Sequence, residues 1–146
     1  MRSISGSCFT LGSGVITWFL KKQTVVAQST AEAEYVALAK CANQAVWLRK
    51  VMADLMVSQT SPTTIFCDNK TAIAIVKNLV LHDKTKQFKI KFHAIRQLQL
   101  EGEFEIDFCS TENQLTDIFT KSLPKNRFVL LRKMLVMQSL GTMVEC

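Results

Sequence analysis

Two short runs dominated by apolar residues, Ser7-Cys8-Phe9-Thr10-Leu11 and Val15-Ile16-Thr17-Trp18-Phe19, flank the polar loop Gly12-Ser13-Gly14. Such runs read as strands, and glycines supply the positive φ of a tight reversal. The pattern therefore predicts a β-hairpin. Lys21-Lys22-Gln23 is expected to mark its exposed exit. A helical period follows: Leu38, Cys41, Ala45, Leu48, Met52 and Leu55 form the stripe of an amphipathic helix, expected from about Thr30 to Leu55. Ser29 and Glu32 have the spacing of a capping box at its start, and the polar stretch Ser58-Gln59-Thr60-Ser61-Pro62 follows its end.

Thr63-Thr64-Ile65-Phe66-Cys67 is a short apolar run expected to be a buried strand, leading through Asp68 into a helix from Lys70 to Lys77. A third helix is expected from roughly Thr85 to Leu100, with Phe88, Phe92, Ile95 and Leu98 toward the core and Lys86, Lys89, His93 and Arg96 on another face. After Gly102 comes a clean alternation, with Phe104, Ile106 and Phe108 on one side and Glu103, Glu105 and Asp107 on the other, the pattern of a strand with one wet face. Thr111 and Gln114 are spaced for another capping box, opening a helix that carries Asp117. Pro124 suits the first turn of a C-terminal helix through Phe128, Leu131 and Leu135. Strands interleaved with helices predict an α/β layer architecture, and with no internal repeat or low-complexity tract we treat residues 1–146 as a single domain.

One position breaks the pattern. Carrying the first helix's stripe back four residues from Leu38 lands on Glu34, a carboxylate where a core residue belongs. Glu32 has its cap to explain it; Glu34 needs either solvent or partners. Asp68, at a strand end, and Asp117, near a late helix start, are acids on other elements that could converge with it, although Asp68 could equally cap the helix it precedes.

Composition narrows the classes. A chain of 146 residues that is 48% hydrophobic and 21% charged can bury a core, which excludes a disordered or fibrous protein. No apolar run approaches the roughly 18 residues of a membrane span, and the start of the chain lacks the apolar core of a secretory signal, so an intracellular protein without a membrane partner is expected. The five cysteines are widely spaced with no C-x-x-C pair, as expected of reduced thiols that bind no zinc. The net charge of +6 is unevenly spread: His82 to Arg96 is basic, whereas Gln97 to Asp117 holds six acids and no lysine or arginine. A basic helix beside an acidic stretch suits a polyanion on one side and cations on the other.

Taken in order, Arg2-Ser3-Ile4-Ser5-Gly6, Ser13-Gly14-Val15-Ile16-Thr17-Trp18, Lys21-Lys22-Gln23, Val26-Ala27-Gln28-Ser29-Thr30-Ala31-Glu32-Ala33-Glu34-Tyr35, Trp47-Leu48-Arg49, Cys67-Asp68-Asn69, Thr85-Lys86, His93 with Ile95-Arg96, and Gln114-Leu115-Thr116-Asp117-Ile118-Phe119-Thr120-Lys121 carry a family likeness. The chain resembles the ribonuclease H domain of Ty1/copia-type retrotransposon Pol polyproteins, collinearly from Arg2 to about Leu135. The resemblance implies a mixed sheet with flanking helices. It also implies hydrolysis of the RNA strand of RNA–DNA hybrids, an upstream reverse transcriptase domain in the same polyprotein, and a cytoplasmic particle or the nucleus as the place of action.

In that family four carboxylates hold two Mg²⁺ ions, with Mn²⁺ also accepted, and the resemblance implies that Glu34, Asp68 and Asp117 are three of them. Two such ions activate the attacking water and stabilise the leaving oxygen. The family's first catalytic aspartate sits on a central strand upstream of the segment matched by Arg2, so this chain is expected to lack both, leaving the sheet incomplete and cleavage impaired. The alternatives are a catalytically dead retroelement remnant and a non-catalytic nucleic-acid-binding module. In any of these, Lys86, Lys89, His93 and Arg96 are candidates to track phosphates, and Asn69 and Asn113 to contact the RNA 2′-hydroxyl.

Overall fold

The computed structural model describes residues 4–12, 14–24, 27, 29–77 and 86–135, without the side chains of 86–88. The expectations at Ser13, Thr85 and Phe88 and at the Lys86 side chain lie outside the described residues.

The expected hairpin forms, with β1 at Ile4–Leu11 and β2 at Gly14–Lys22 paired antiparallel and an irregularity between Phe9 and Thr10. Gly12 sits in the left-handed region at φ 60°, where its missing Cβ removes the steric penalty. Ser5, Ser7 and Phe9 are buried. Thr120 approaches the strand at Gly6, whose bare Cα makes room for it. Gln23, expected at an exposed exit, is buried: its amide donates to Ser5 Oγ and to Ala33 O, both at 2.9 Å. It ties the end of the hairpin to the first turn of the next helix.

That helix, α1, runs Thr30–Asp54. Ser29 caps it, its Oγ accepting from the amide of Glu32 at 3.1 Å. It ends in a Schellman arrangement, with the Val57 amide on Met52 O and the Met56 amide on Ala53 O, and Met56 held at φ 63°. The buried residues are Ala33, Tyr35, Leu38, Ala39, Ala42 and Ala45. Cys41, Leu48 and Met52 are therefore at the edge of the buried face and not its centre, and Leu55 is exposed because the last turns project past the core.

Strand β3 (Thr63–Cys67) pairs in parallel with β4 (Phe104–Phe108), Thr63 opposite Phe104 and Cys67 opposite Phe108. Parallel partners need a crossover, here made by α2 (Lys70–Lys77) and α3 (Lys86–Leu100). Asn69, not Asp68, caps α2: its Oδ1 accepts from the Ala72 amide at 2.9 Å. Arg49 fixes both strand starts to α1, bonding Glu103 Oε2 at 3.0 Å, Ser61 O at 2.7 Å, Thr63 Oγ1 at 3.3 Å and Gln59 O at 3.0 Å. Phe104 and Ile106 are buried as their alternation requires, whereas Phe108, at the strand end, is half exposed beneath the Lys70 ammonium.

The expected capping box at Thr111 is not formed. Thr111–Asn113 is a single 3₁₀ turn, and Asp117–Thr120 a separate short helix, α4, whose preceding Thr116 makes no side-chain cap bond. Helix α5 (Lys125–Met134) starts directly after Pro124 and buries Leu131 and Leu135, but leaves Phe128 exposed. Tyr35, Phe92, Ile95, Phe104 and Ile106 centre the core that joins these elements.

The architecture is mixed α/β, as expected, but the strands do not form one sheet. β1–β2 and β3–β4 are two separate pairs, and among the described residues nothing is paired to the second edge of β1 or of β3.

Candidate metal centre

Between the two strand pairs lies an open cleft of about 1450 Å³. It is bounded by β1, by β3 as far as Asp68, by the first turns of α1, and by the segment from Phe108 to Lys121. Glu34, Asp68 and Asp117 all line it. Their placement follows from local structure: the Ser29 cap and the Gln23 tie set where α1 starts and thus where Glu34 stands. The end of β3 delivers Asp68, and α4, packed on β1 at Gly6 and stacked through Phe119 on Trp18 at 6.1 Å, delivers Asp117.

Glu34, Asp68 and Cys67 each offer a ligand atom, all within 4.8 Å of one another. Burial raises the Glu34 carboxyl above its ordinary range; Asp68 and Asp117 push the same way, and Lys121 pulls it back. Crowded acids with low solvent access are the condition that favours a bound cation. Burial pushes the Cys67 thiol up to about 11, with the neighbouring acids adding to the effect, and its Sγ donates to Asn69 O at 3.8 Å. A protonated thiol is no ligand for a hard ion, so the convergent donors are carboxylate oxygens, the set Mg²⁺ and Mn²⁺ take.

Asp117 stands outside that cluster and is only 3% exposed. Lys121 Nζ lies 2.9 Å from its Oδ1, and Arg127 Nη2 2.9 Å from its Oδ2. Neither cation was assigned a role from the sequence. The i,i+4 spacing of Asp117 and Lys121 was a usable signal, but the reach of Arg127 around Pro124 is a tertiary fact with no local signature.

The remaining described candidates, Asn113 apart, lie outside the cleft lining. Lys89 and His93 are exposed on α3, away from the cleft lining, with His93 edge-on to Phe92. Arg96 donates to Val76 O at 3.2 Å and Lys77 O at 3.1 Å, satisfying the last carbonyls of α2. Asn69 is committed to capping. Asn113 lines the cleft.

Comparison with known proteins adds the context. The chain is 33% identical over 138 residues, 94% of its length, to the retrovirus-related Pol polyprotein from transposon TNT 1-94 of Nicotiana tabacum. It is 34% and 32% identical over 126 residues to those from transposons RE1 and RE2 of Arabidopsis thaliana. The chain is homologous to copia-type retrotransposon Pol polyproteins. It spans only 9–10% of the length of these Pol relatives. No family model and no solved structure matches it.

Proposed function

We propose that this chain is a ribonuclease H-type segment of a copia-type Pol polyprotein. Glu34, Asp68 and Asp117 are its share of a divalent-ion site for cutting the RNA strand of RNA–DNA hybrids. The observation that carries the reading is the convergence of Glu34 and Asp68, from a helix start and a strand end, in one cleft with Asp117. Bound Mg²⁺ or Mn²⁺ would supply Lewis-acid activation of water and charge neutralisation at the phosphodiester. The chain's own part is to hold hard oxygens in fixed directions and to keep the Cys67 thiol out of the donor set.

The open cleft between β1 and β3 is where this reading puts the family's central strand with its fourth carboxylate. A site of this kind depends on geometry: misplacing an attacking water by about 1 Å costs about 10²-fold in rate. Lys89 and His93 face solvent on α3 and would track phosphates remote from the cut, making affinity fall with salt.

The test is cleavage of a labelled RNA–DNA hybrid with Mg²⁺ or Mn²⁺. This chain is compared with a version extended by the preceding Pol sequence of its own gene, and each with its Glu34→Gln/Asp68→Asn variant. Hybrid-specific cutting by the extended protein, lost in its variant, supports the reading. A folded, extended protein that binds hybrid in a salt-sensitive way but never cuts it would replace the nuclease with an inactive, nucleic-acid-binding remnant.

A further inference from the structure

The two oxygens of Asp117 are held by cations of different kinds. Oδ2 is bonded to Arg127 Nη2, which also donates to Thr111 O at 2.5 Å, so the guanidinium is fastened at two points. Oδ1 meets Lys121 Nζ at 2.9 Å, on a side chain that is 51% exposed. Lys121 lines the same cleft as Glu34 and Asp68, and its positive charge opposes the repulsion that Asp68 and Asp117 exert on Glu34. A flexible ammonium thus faces a cleft that holds acids from two elements, α1 and α4, while Arg127 acts as scaffold.

We propose that Lys121 is an exchangeable internal counter-ion, its ammonium paired with Asp117 Oδ1 on the lining of the cleft, so that it competes with a divalent ion for the carboxylates there. The inference rests on reading the carboxylates as a divalent-ion site and adds to it a residue that regulates occupancy. Lysine suits the part because its ammonium is a compact point charge on a flexible stem, able to leave without dismantling a fork of bonds as arginine must. Half-exposed, it is a weak tie that yields to an ion of twice its charge. With the ion in place, the released ammonium remains tethered at the cleft, where an anionic phosphodiester would be drawn.

An ordinary i,i+4 pair on a short helix would affect local stability and nothing else, and this separates the two roles. Mn²⁺ binding to the full chain is measured by loss of the free-ion paramagnetic resonance signal and by calorimetry. The proteins are the parent, Lys121→Met, Lys121→Gln, Lys125→Met as a charge-matched control, and Glu34→Gln, each checked for folding by circular dichroism. The expected result is Mn²⁺ affinity about tenfold higher in both Lys121 variants, from removal of one adjacent positive charge, with Lys125→Met unchanged. Metal-free melting temperatures of the Lys121 variants should fall, and Mn²⁺ should raise them more than it raises the parent's. Equal or weaker binding in the Lys121 variants overturns the counter-ion role, as does an equal gain in Lys125→Met. If no protein in the set binds Mn²⁺, or if Glu34→Gln binds as the parent does, the divalent-ion reading itself fails and takes this proposal with it.

Discussion

Gly6 is the point at which the position of Asp117 can be tested by adding one carbon. A Cβ built there would lie 2.6 Å from Thr120 Cγ2 and 3.1 Å from Leu20 Cδ2, whereas carbon atoms in contact settle at about 3.5–4.0 Å. Thr120 must therefore retreat by about 1 Å. It cannot simply rotate, because a β-branched side chain in a helix has few χ1 wells and its Oγ1 is bonded to Thr116 O at 3.3 Å. The displacement passes to α4, whose Phe119 is stacked on Trp18 and whose Asp117 is bonded to Arg127. Overpacking of this kind costs about 1–3 kcal/mol, against about 0.5–1 kcal/mol regained by replacing a strand glycine with alanine. Gly6→Ala should thus destabilise the protein by about 1–2 kcal/mol. Thr120→Ser deletes the offending methyl and keeps the hydroxyl, so alone it should change stability by less than about 0.5 kcal/mol. The double variant should recover most of the loss, a coupling of about 1–2 kcal/mol in the cycle. Urea unfolding followed by circular dichroism and by tryptophan emission, to which Trp18 contributes, measures all four proteins. Additive single effects, or a Gly6→Ala protein as stable as the parent, would refute the claim that Gly6 seats α4.

Three further outcomes follow from the same geometry. Glu34→Gln should be more stable than the parent at neutral pH: a carboxyl raised by burial and by neighbouring acids costs stability when charged. That advantage should disappear as pH falls through the ordinary carboxylate range, where the parent is protonated too; a pH-independent difference would contradict it. Asp117→Asn should go the other way and lose about 2–3 kcal/mol in the same melts, less than a fully buried pair because Lys121 and Arg127 are partly solvated. Met56→Gly should stabilise by about 1 kcal/mol, since the residue is left-handed and almost wholly exposed, so relief of its backbone strain loses no packing. Unchanged thermal stability would argue against that strain.

The local elements were legible because they rest on local causes. Thr63–Cys67 and Lys70–Lys77 fall where the apolar run and the following periodicity put them, and Ser29 caps α1 as its spacing with Glu32 implied. What the pattern missed was decided at a distance. Gln23 reads as a polar exit residue, yet its amide is satisfied by Ser5 and Ala33, one on the opposite strand and one on α1. Leu55 and Phe128 continue apolar stripes beyond the point where the core has anything to set against them. At the site, Glu34 was visible because a carboxylate interrupted an apolar stripe, and Asp68 because it ended a strand. The structure removes the competing role for Asp68 by giving the cap to Asn69. Arg96 shows a partner the pattern did not announce: its place on a basic face suggested phosphate, and its guanidinium also donates to the last carbonyls of α2.

The parallel pairing of β3 with β4 has a kinetic consequence. The hairpin and α1 are held by contacts near in sequence, but Thr64 and Glu105, bonded across the strand pair, are 41 residues apart. Closing a loop of that length must be met in entropy before its contacts reward it, and such pairings form late. Cys67 and Asp68 belong to the slow half and Glu34 to the fast half, so the acid cluster is assembled only in the last stage of folding. Its charge repulsion therefore arises together with the packing of Ile65, Phe104 and Ile106 into the core and with the tie that Arg49 makes from both strand starts to the helix.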